Sequence, residues 1–306
     1  MPGETHRGNV PPPDVGPAGL EDGLRRHVEE LAGRIGPRNR FMGDSLQTAR
    51  QYVVAELEAA GYSPEVLPYA TDEGEVANVV ATLPGSTASA EIVVVGAHYD
   101  TVPTTPGADD NASGVAVLLE TARALAGRSF PRTIRFVAFA NEEPPYFKTD
   151  EMGSRQYAKR CREQGDNVVA MYSLESLGYF DDAPGSQMYP PPFALIYPSE
   201  GNFVGFVGDL TSRSLVHRAI RLFRDTTPVP SEGLAGPSWI PGVDLSDHWA
   251  FWQEDYPALM ITDTALFRNP YYHKSGDLPG ILDYQRMAWV TLAVIRIVED
   301  VAAATL

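Results

Sequence analysis

Residues 92–125 read IVVVGAHYDTVPTTPGADDNASGVAVLLETARAL. The β-branched run 92–97 predicts a strand, and the apolar positions of 114–125, which Ser113 opens, predict a helix. A strand followed by a loop and a helix is typical of a sheet with a parallel core that helices cover on both faces. In such sheets reactive side chains collect on loops beyond the strand ends. The loop of this unit carries a histidine and an acidic pair.

The same alternation of short apolar runs and helical patterns extends along most of the chain. Further core strands are predicted from apolar runs at 76–83, 134–140, 168–174 and 258–262. Helices are predicted from apolar residues at helical spacing at 20–35, 45–60, 153–162, 212–223 and 283–306. We therefore expect an α/β fold of three layers, α/β/α, with a mixed, mainly parallel central sheet.

Length and composition favour one large domain. A chain of 306 residues that is 43% hydrophobic can bury a single sizeable core. Residues 1–18 are rich in Pro and Gly and lack periodicity, so we predict a flexible tail before a domain over 19–306. Residues 181–242 carry many Pro, Gly and aromatic residues. We interpret them as an insertion that shapes the rim of a pocket, although a structural excursion without a ligand role fits nearly as well.

Charge and cysteine content exclude several classes of protein. The 24 Lys and Arg residues against 40 Asp and Glu give a formal charge of -16, which repels nucleic acid and anionic lipid. A single cysteine, Cys161, excludes an intramolecular disulfide framework and a cysteine-rich zinc site. The sequence has no signal peptide and no apolar run of membrane-spanning length. We expect a cytoplasmic protein without nucleic-acid or membrane partners, or a secreted one if its leader is missing.

Side chains that can bind metal follow the predicted strand 92–97. His98 can bind a metal while Asp100 holds its other ring nitrogen, although a histidine at a strand end is more often a structural hydrogen-bonding group. Asp109 and Asp110 precede a helix, where acidic residues commonly act as caps. A carboxylate has two oxygens, however, and can bridge two cations, which is the geometry of a two-metal site.

Two later strands end in glutamates. Glu142 and Glu143 follow 134–140, and because neighbouring side chains at a strand end point in different directions, one can bind metal while the other reaches a water. Glu175 follows 168–174 between hydrophobic residues, where an unpaired charge is costly and a metal or an arginine would offset it. With His273, these residues suffice for two zinc ions and a general base, which indicates a metal-dependent hydrolase.

Some assignments stay open on the residues alone. His273 has an aspartate, Asp277, four positions on, and His248 in the stretch LSDHW (245–249) is a rival for its role as ligand. A substrate pocket is a second open assignment, because aromatic residues near helices more often belong to a core than to a pocket. The pocket candidates are Trp239, Asp247, His248 and Phe267.

In their order, these motifs resemble those of the M28 family of zinc peptidases. The matching stretches are AHYD (97–100), GADDNASG (107–114), NEE (141–143) and YH (272–273). The resemblance covers roughly residues 40–300 and implies the fold of the zinc exopeptidases, one catalytic domain over 19–306, and a cis peptide bond after Asp110. One departure is at Glu175, where many members have Asp.

The resemblance also implies roles for single residues. His98 and Glu175 resemble the ligands of one zinc ion, Glu143 and His273 those of a second, and Asp110 the bridge between them. Glu142 resembles the general base, and Tyr272 resembles a phenol that stabilises the tetrahedral oxyanion in some members. Asp100 and Asp277 would hold these ligands in place. We expect two zinc ions per chain, with a single ion as the alternative.

The expected activity is that of an aminopeptidase, which releases N-terminal residues from a peptide or a small amide with a free N-terminus. Glutaminyl cyclases share the implied fold and use one zinc ion to close N-terminal Gln into pyroglutamate, so they are a second hypothesis. An amidase that acts on a non-peptide metabolite is a third. A binding module that has lost catalysis is disfavoured because every ligand position carries a residue that can bind metal.

Overall fold

The computed structural model describes residues 1–11, 13 and 19–303. Within these residues, eight strands form one sheet. They are β1 (Glu65–Thr71), β2 (Gly74–Leu83), β3 (Ala88–His98), β4 (Arg132–Phe139), β5 (Asn167–Glu175), β6 (Val204–Gly208), β7 (Ser231–Ala235) and β8 (Ala258–Thr262). Their spatial order is β1-β2-β4-β3-β5-β8-β6-β7. The central strands β4, β3, β5 and β8 are mutually parallel, and β2 and β6 pair with their flanks in antiparallel fashion.

Helices cover both faces of this sheet. They are α1 (Leu20–Val28), α2 (Ser45–Ala59), α3 (Gly114–Leu125), α4 (Gly153–Gln164), α5 (Arg213–Thr226), α6 (His248–Trp252) and α7 (Tyr284–Ala303). A π-helical segment, Glu29–Ile35, continues α1. The helices α1, α2, α3, α5 and α7 belong to the larger apolar cluster, and α4 and α6 to the smaller one on the other face. The predicted three-layer α/β fold is therefore confirmed.

The central strand β3 explains why the sheet has two covered faces. Val93 and Val95 are buried in the larger cluster, and Ile92 and Val94 in the smaller one. Successive side chains of a strand point to opposite faces, so a run of apolar residues requires apolar cover on both sides. The same run that predicts a strand thus places β3 in the middle of the sheet.

Three of the strands were not predicted from the sequence. The edge strand β1 is largely exposed and carries Pro68, and β6 and β7 are short segments, VGFVG and SEGLA, with glycines that lower strand propensity. Both β6 and β7 lie in the segment 181–242, which we interpreted as an insertion. This segment therefore contributes two strands to the sheet as well as loops above it, and the division into domains stays a prediction.

Part of the predicted N-terminal tail contacts the folded body. Residues 1–11 form no helix or strand, but the Ser231 amide donates a hydrogen bond to Thr5 Oγ1 (2.8 Å) and Arg224 Nη1 donates to the Gly3 carbonyl (2.8 Å). Residues 12 and 14–18 of the predicted tail lie outside the described residues. None of the helices that the structure describes combines the length and the apolar character needed to cross a membrane.

A buried arginine joins the N-terminal helical segment to the loops that follow β3. Arg38 is fully buried, and its guanidinium donates only to backbone carbonyls. The acceptors are the carbonyls of Leu31, Gly36, Tyr99, Pro106 and Gly107, at 2.5–3.1 Å. Burial lowers the pKa of Arg38 to about 10, so the side chain stays charged at neutral pH. One cation thus satisfies five carbonyls of three separate segments.

We expect the substitution Arg38→Met to lower the free energy of unfolding by about 3–5 kcal/mol, because several buried carbonyls lose their donor at once. The measurement is urea unfolding of chelator-treated protein, so that metal binding does not contribute. The control is Arg34→Met, whose side chain is 79% exposed and pairs with Glu30 one turn earlier, and which should cost less than about 1 kcal/mol. Equal effects of the two substitutions would contradict this role of Arg38.

Candidate metal centre

The parallel strands bring the predicted ligands to one edge of the sheet. His98 is the last residue of β3 and Glu175 the last of β5, while Glu142 and Glu143 follow β4. Because β3 lies between β4 and β5 and runs parallel to both, these residues lie at neighbouring strand ends. Asp110 enters from the turn before α3. His273 and Tyr272 enter from the loop after β8, and the structure brings all of these residues together.

Two groups of ligand atoms share one carboxylate. His98 Nε2 lies 3.3 Å from Asp110 Oδ1 and 3.3 Å from Glu175 Oε2. His273 Nε2 lies 3.2 Å from Asp110 Oδ2 and 3.2 Å from Glu143 Oε2. Within each group the ligand atoms lie within 4.8 Å of one another. The two oxygens of Asp110 therefore face different groups, which is the arrangement that a carboxylate bridging two cations requires.

The unsatisfied atoms of this cluster fit metal ions. Nε2 of His98, Nε2 of His273 and Oε1 of Glu143 are buried and have no hydrogen-bond partner among the residues that the structure describes. Buried polar atoms are normally paired, so atoms left without a partner in a cluster need another explanation. Imidazole nitrogens and carboxylate oxygens are ligands that zinc accepts, and a group of three protein ligands leaves a position open for a water or a substrate. The residues present thus fit two zinc ions.

The electrostatics of the cluster also call for added positive charge. Burial raises the pKa of Glu143 to about 8, and the charge of Asp110 adds to this effect. Burial alone would lower the pKa of His98, but the charges of Glu175 and Glu142 raise it well above its usual value. Burial also opposes ionisation of Asp110, yet contacts with His273 and His98 hold its pKa below the usual range. Glu143 and His98 thus bind protons more readily than usual, and a bound cation would compete with those protons.

Glu142 lies beside the two groups without belonging to either. Its Oε2 is 3.9 Å from His98 Nε2, and burial raises the pKa of its carboxyl well above the usual value. The amides of Glu142 and Glu143 donate hydrogen bonds of 3.0 Å to Oδ1 and Oδ2 of Asp100. Asp100 Oδ1 also lies 3.5 Å from His98 Nδ1. One carboxylate thus contacts the backbone of both glutamates and the back of the histidine ring.

Asp277 accepts backbone hydrogen bonds from the turn that carries Asp110, as Asp100 does from the segment after β4. Its Oδ1 and Oδ2 accept hydrogen bonds from the amides of Asp109 (2.9 Å) and Asp110 (3.2 Å). Asn111 ties this turn to the end of β5, because its Nδ2 donates to the Leu174 carbonyl at 2.9 Å. The peptide bond between Asp110 and Asn111 is cis, as the resemblance implied.

A serine that the sequence analysis did not identify holds the carboxylate of Glu175. Ser246 Oγ lies 2.7 Å from Glu175 Oε2 and 2.7 Å from Ser173 Oγ, and Ser176 Oγ donates to Glu175 Oε1 at 3.2 Å. Ser246 lies far from Glu175 in sequence, in the loop before α6. Serine is too common in loops for its position alone to indicate this contact.

His248, the rival ligand, points away from the metal centre. Its Nε2 lies 2.8 Å from the Val243 carbonyl, and its ring is fully buried against Trp252. Burial lowers the pKa of His248 to about 4, so the ring is neutral. His248 belongs to neither ligand group, whereas His273 belongs to one. The reason is that α6 begins at His248 and directs its ring into the protein body.

An apolar cavity opens beside the ligand groups. Glu175 and Tyr272 line it where it meets the ligand groups, and Tyr272 stacks on the imidazole of His273 with ring centroids 3.9 Å apart. Burial raises the pKa of Tyr272 above its usual value, so the phenol keeps its proton. Apolar side chains form most of the wall, among them Phe193, Phe203, Val207, Leu234, Met260 and Phe267.

Most of the predicted pocket residues do not line this cavity. Of the four candidates, only Phe267 lines this cavity. Asp247 and His248 are fully buried elsewhere, and Trp239 is 80% exposed in a proline-rich turn. Aromatic character alone did not tell which side chains face the cavity, because their direction depends on the paths of loops between β7 and α6.

Comparison with known sequences identifies related proteins. Residues 78–298 match the family described as Peptidase family M28. The chain is 38% identical over 287 residues to the uncharacterized protein YfbL of Escherichia coli K12, covering 90% of this chain and 87% of that protein. It is 26% identical over 249 residues to a probable leucine aminopeptidase of Arthroderma otae, covering 76% of this chain and 59% of that protein.

Comparison with solved structures shows a shared fold. LapA of Legionella superposes with a TM-score of 0.75 at 22% identity, covering 93% of this chain and 73% of that one. BSAP, a zinc aminopeptidase from Bacillus subtilis, has a TM-score of 0.74 at 14% identity, with coverage of 93% and 95%. A glutaminyl cyclase of Porphyromonas gingivalis has a TM-score of 0.69 at 20% identity, with coverage of 92% and 98%. The fold is therefore common to proteins with different reactions.

We expect His273→Ala to weaken zinc binding by at least about tenfold relative to the wild type, because it removes a ligand nitrogen from one group. His248→Ala should bind zinc as the wild type does, since its ring lies outside both groups. Calorimetric titration of chelator-stripped protein with zinc measures both, and circular dichroism checks that each variant is folded. The reverse order of affinities would exchange the roles of the two histidines.

Proposed function

Because the chain belongs to peptidase family M28, we propose that it is a zinc-dependent aminopeptidase that releases N-terminal residues from peptides. The observation that carries this proposal is the Asp110 carboxylate, whose two oxygens face two separate groups of ligand atoms. A second carboxylate, that of Glu142, lies beside them and belongs to neither group. A hydrolase with two metals needs both a shared ligand and a free base.

Each residue of the cluster then has a task in holding the ions. His98 and Glu175 would hold one ion, Glu143 and His273 the other, and Asp110 both. The zinc ions, when bound, would supply the Lewis acidity that polarises the scissile carbonyl and acidifies the attacking water. Ser246 keeps the Glu175 carboxylate turned toward its group through the hydrogen bond to Oε2. This support offsets the longer arm of Glu175, where many family members have Asp.

Glu142 is the residue proposed to move protons. Its carboxylate accepts a proton from the attacking water and returns it to the leaving amine. Its amide donates a hydrogen bond to Asp100, which holds the backbone that carries the carboxylate beside the ligand groups. Tyr272 lines the cavity next to His273, where its protonated phenol can donate a hydrogen bond to the developing oxyanion.

The apolar cavity supports an exopeptidase in particular. Glu175 and Tyr272 line it beside the metal centre, so a side chain in the cavity would belong to the residue whose carbonyl lies at that centre. The buried carboxylates around that point can hold a free N-terminal amine by charge-assisted hydrogen bonds. A peptide would therefore enter with its first residue in the cavity.

A glutaminyl cyclase is the second candidate, and the likeness to the enzyme of Porphyromonas gingivalis is the observation that favours it. A cyclase needs no water as nucleophile and can work with one zinc ion, whereas hydrolysis through the shared Asp110 uses two. Incubation of zinc-loaded protein with Gln-terminal and Leu-terminal peptides distinguishes them. Release of free amino acids from the peptides supports the peptidase. Formation of pyroglutamate from the Gln-terminal peptide, without release of amino acids from the Leu-terminal peptide, supports the cyclase.

Substitution of the proposed base tests the mechanism. We expect Glu142→Gln to lower kcat by roughly 10²–10⁴-fold, because an amide of the same shape cannot accept the proton. Zinc content should stay at the wild-type level, since Glu142 holds neither ion. The matched control is Glu143→Gln, which should lose zinc affinity as well as activity. A Glu142→Gln enzyme that keeps activity within a few fold of the wild type would rule out this base.

A panel of N-terminal aminoacyl amides tests the substrate class. We expect zinc-loaded protein to hydrolyse members with a free α-amine and to leave their N-acetylated counterparts intact, because the buried carboxylates recognise the amine. Liberated product is measured with and without a chelator. Hydrolysis of acetylated and free substrates at equal rates would point instead to an amidase without exopeptidase character.

A further inference from the structure

The end of the cavity distant from the ligand groups carries one acidic residue, Glu232 on β7. We propose that Glu232 selects substrates whose N-terminal residue has a long side chain ending in a cation, as in lysine or arginine. This inference rests on the proposed aminopeptidase function and assigns its substrate class. It follows from the register of four strands and from the surroundings of this carboxylate.

One row of residues crosses the sheet from the metal centre to Glu232. Glu175 on β5 pairs with Thr262 on β8, Thr262 pairs with Gly205 on β6, and Gly205 pairs with Glu232 on β7. Residues opposite one another on neighbouring strands present their side chains on the same face, and all four line the cavity. Three strand spacings separate Glu175 from Glu232, which amounts to about 14 Å.

The floor between the two carboxylates is open and apolar. Gly205 has no side chain and Thr262 a small one, so the row leaves space between its charged ends. The next row on the same face consists of Leu234, Val207 and Met260, which also line the cavity. These side chains form an apolar wall along the same direction. An extended chain of methylene groups can pack against this wall while its charged tip reaches farther.

The carboxylate of Glu232 lacks a partner of its own. Within the described residues it forms no ion pair and accepts no hydrogen bond, although it is half-buried. Burial raises the pKa of Glu232, while the charges of Arg224, Arg7 and the N-terminal amine lower it without forming an ion pair with it. Arg224 is engaged elsewhere, because its guanidinium donates to Ser231 Oγ at 2.9 Å and to the Ser231 carbonyl at 2.7 Å. A charge left unpaired in an apolar wall is costly, and a cationic ligand would relieve that cost.

The length of the row matches a basic side chain. A chain of six single bonds, as in arginine, spans about 7 Å when extended. An ion pair at each end, one from the α-amine to the inner carboxylates and one from the guanidinium to Glu232, adds roughly 3 Å each. The total, about 13 Å, is close to the three strand spacings that separate the positions of Glu175 and Glu232. A leucine side chain is about 4 Å shorter than arginine and ends near Thr262, well short of Glu232.

The test compares long side chains with and without a charge at the tip, together with the shorter side chain of leucine. Lysyl, arginyl, norleucyl and leucyl 4-nitroanilides are assayed with zinc-loaded protein, norleucine being the uncharged analogue of lysine. We expect kcat/KM for lysine and arginine to exceed that for norleucine at least tenfold. Glu232→Gln should reduce this ratio at least tenfold. Glu65→Gln, the same change on the exposed opposite edge strand β1, should leave the ratio unchanged. A wild type that prefers norleucine, or a ratio that Glu232→Gln does not change, overturns the proposal.

A binding measurement separates this inference from the proposed function. Agmatine, an amine joined to a guanidinium by four methylene groups, is titrated calorimetrically and compared with pentylamine. Tighter binding of agmatine that Glu232→Gln abolishes would support the subsite even if no aminoacyl amide were cleaved, and the aminopeptidase proposal alone would fail. Hydrolysis of leucyl substrates combined with equal binding of the two amines would overturn the subsite and leave the aminopeptidase in place.

Filling the row at its glycine gives an independent check. A Cβ at Gly205 would lie 3.4–3.5 Å from Thr262 and Thr264, which is ordinary van der Waals contact, and Gly205→Val adds two methyl groups to that Cβ. Its methyl groups would stand in the open floor between the carboxylates. We expect kcat/KM for arginyl and lysyl substrates to fall at least tenfold relative to that for alanyl substrates, whose side chain does not reach Gly205. An unchanged ratio, in a variant with wild-type thermal stability, would contradict the position assigned to the long side chain.

Discussion

The burial of many carboxylates at one edge of the sheet is the constraint on which the rest of the structure depends. A buried carboxylate is costly unless hydrogen bonds or a cation compensate it. The protein meets this requirement in two ways. Asp100 and Asp277 accept backbone N–H groups at 2.9–3.2 Å, so hydrogen bonds from the fold itself offset part of the cost of burying them. Asp110 and Glu143 face only imidazole nitrogens, so their compensation comes from the ions that the site is proposed to hold.

This division separates positioning from metal binding. The carboxylates that accept backbone hydrogen bonds hold the turn before α3 and the segment after β4 in place, and those segments present the ligands. Arg38 also helps to hold these segments in place, because it donates hydrogen bonds to the carbonyls of Tyr99 and Gly107. Its positive charge interacts electrostatically with Asp277 and Asp100. The ligand geometry is therefore built by interactions that do not involve the metal. Such a site can be preorganised before an ion binds, which strengthens binding.

Sequence reasoning succeeded where a residue's position follows from local pattern. Apolar runs predicted the central strands, and their parallel order placed His98 and Glu175 at one edge without further information. It failed where the direction of a side chain depends on contacts with residues that are distant in sequence. His248 and Trp239 are chemically suitable, but helix α6 and a proline-rich turn direct them elsewhere. The strands β6 and β7 were missed because glycine-containing segments of five residues have weak strand propensity, and their pairing with β8 is what defines them. The cavity depends on that pairing too, because Val207 and Leu234 line it.

The two strands that the sequence did not predict, β6 and β7, determine how the floor of the cavity is built. If 181–242 were only a loop insertion, the cavity wall would be mobile and its depth poorly defined. Because β6 and β7 extend the sheet beyond β8, the cavity floor is instead part of the sheet that carries Glu175. Distances along such a floor change in steps of one strand spacing, about 4.8 Å, rather than continuously. The positions along the row that a side chain of the proposed substrate could reach are therefore one strand spacing apart. In the proposed subsite, a short side chain would end near Thr262, and only one long enough to cross Gly205 would reach the carboxylate of Glu232 on the edge strand.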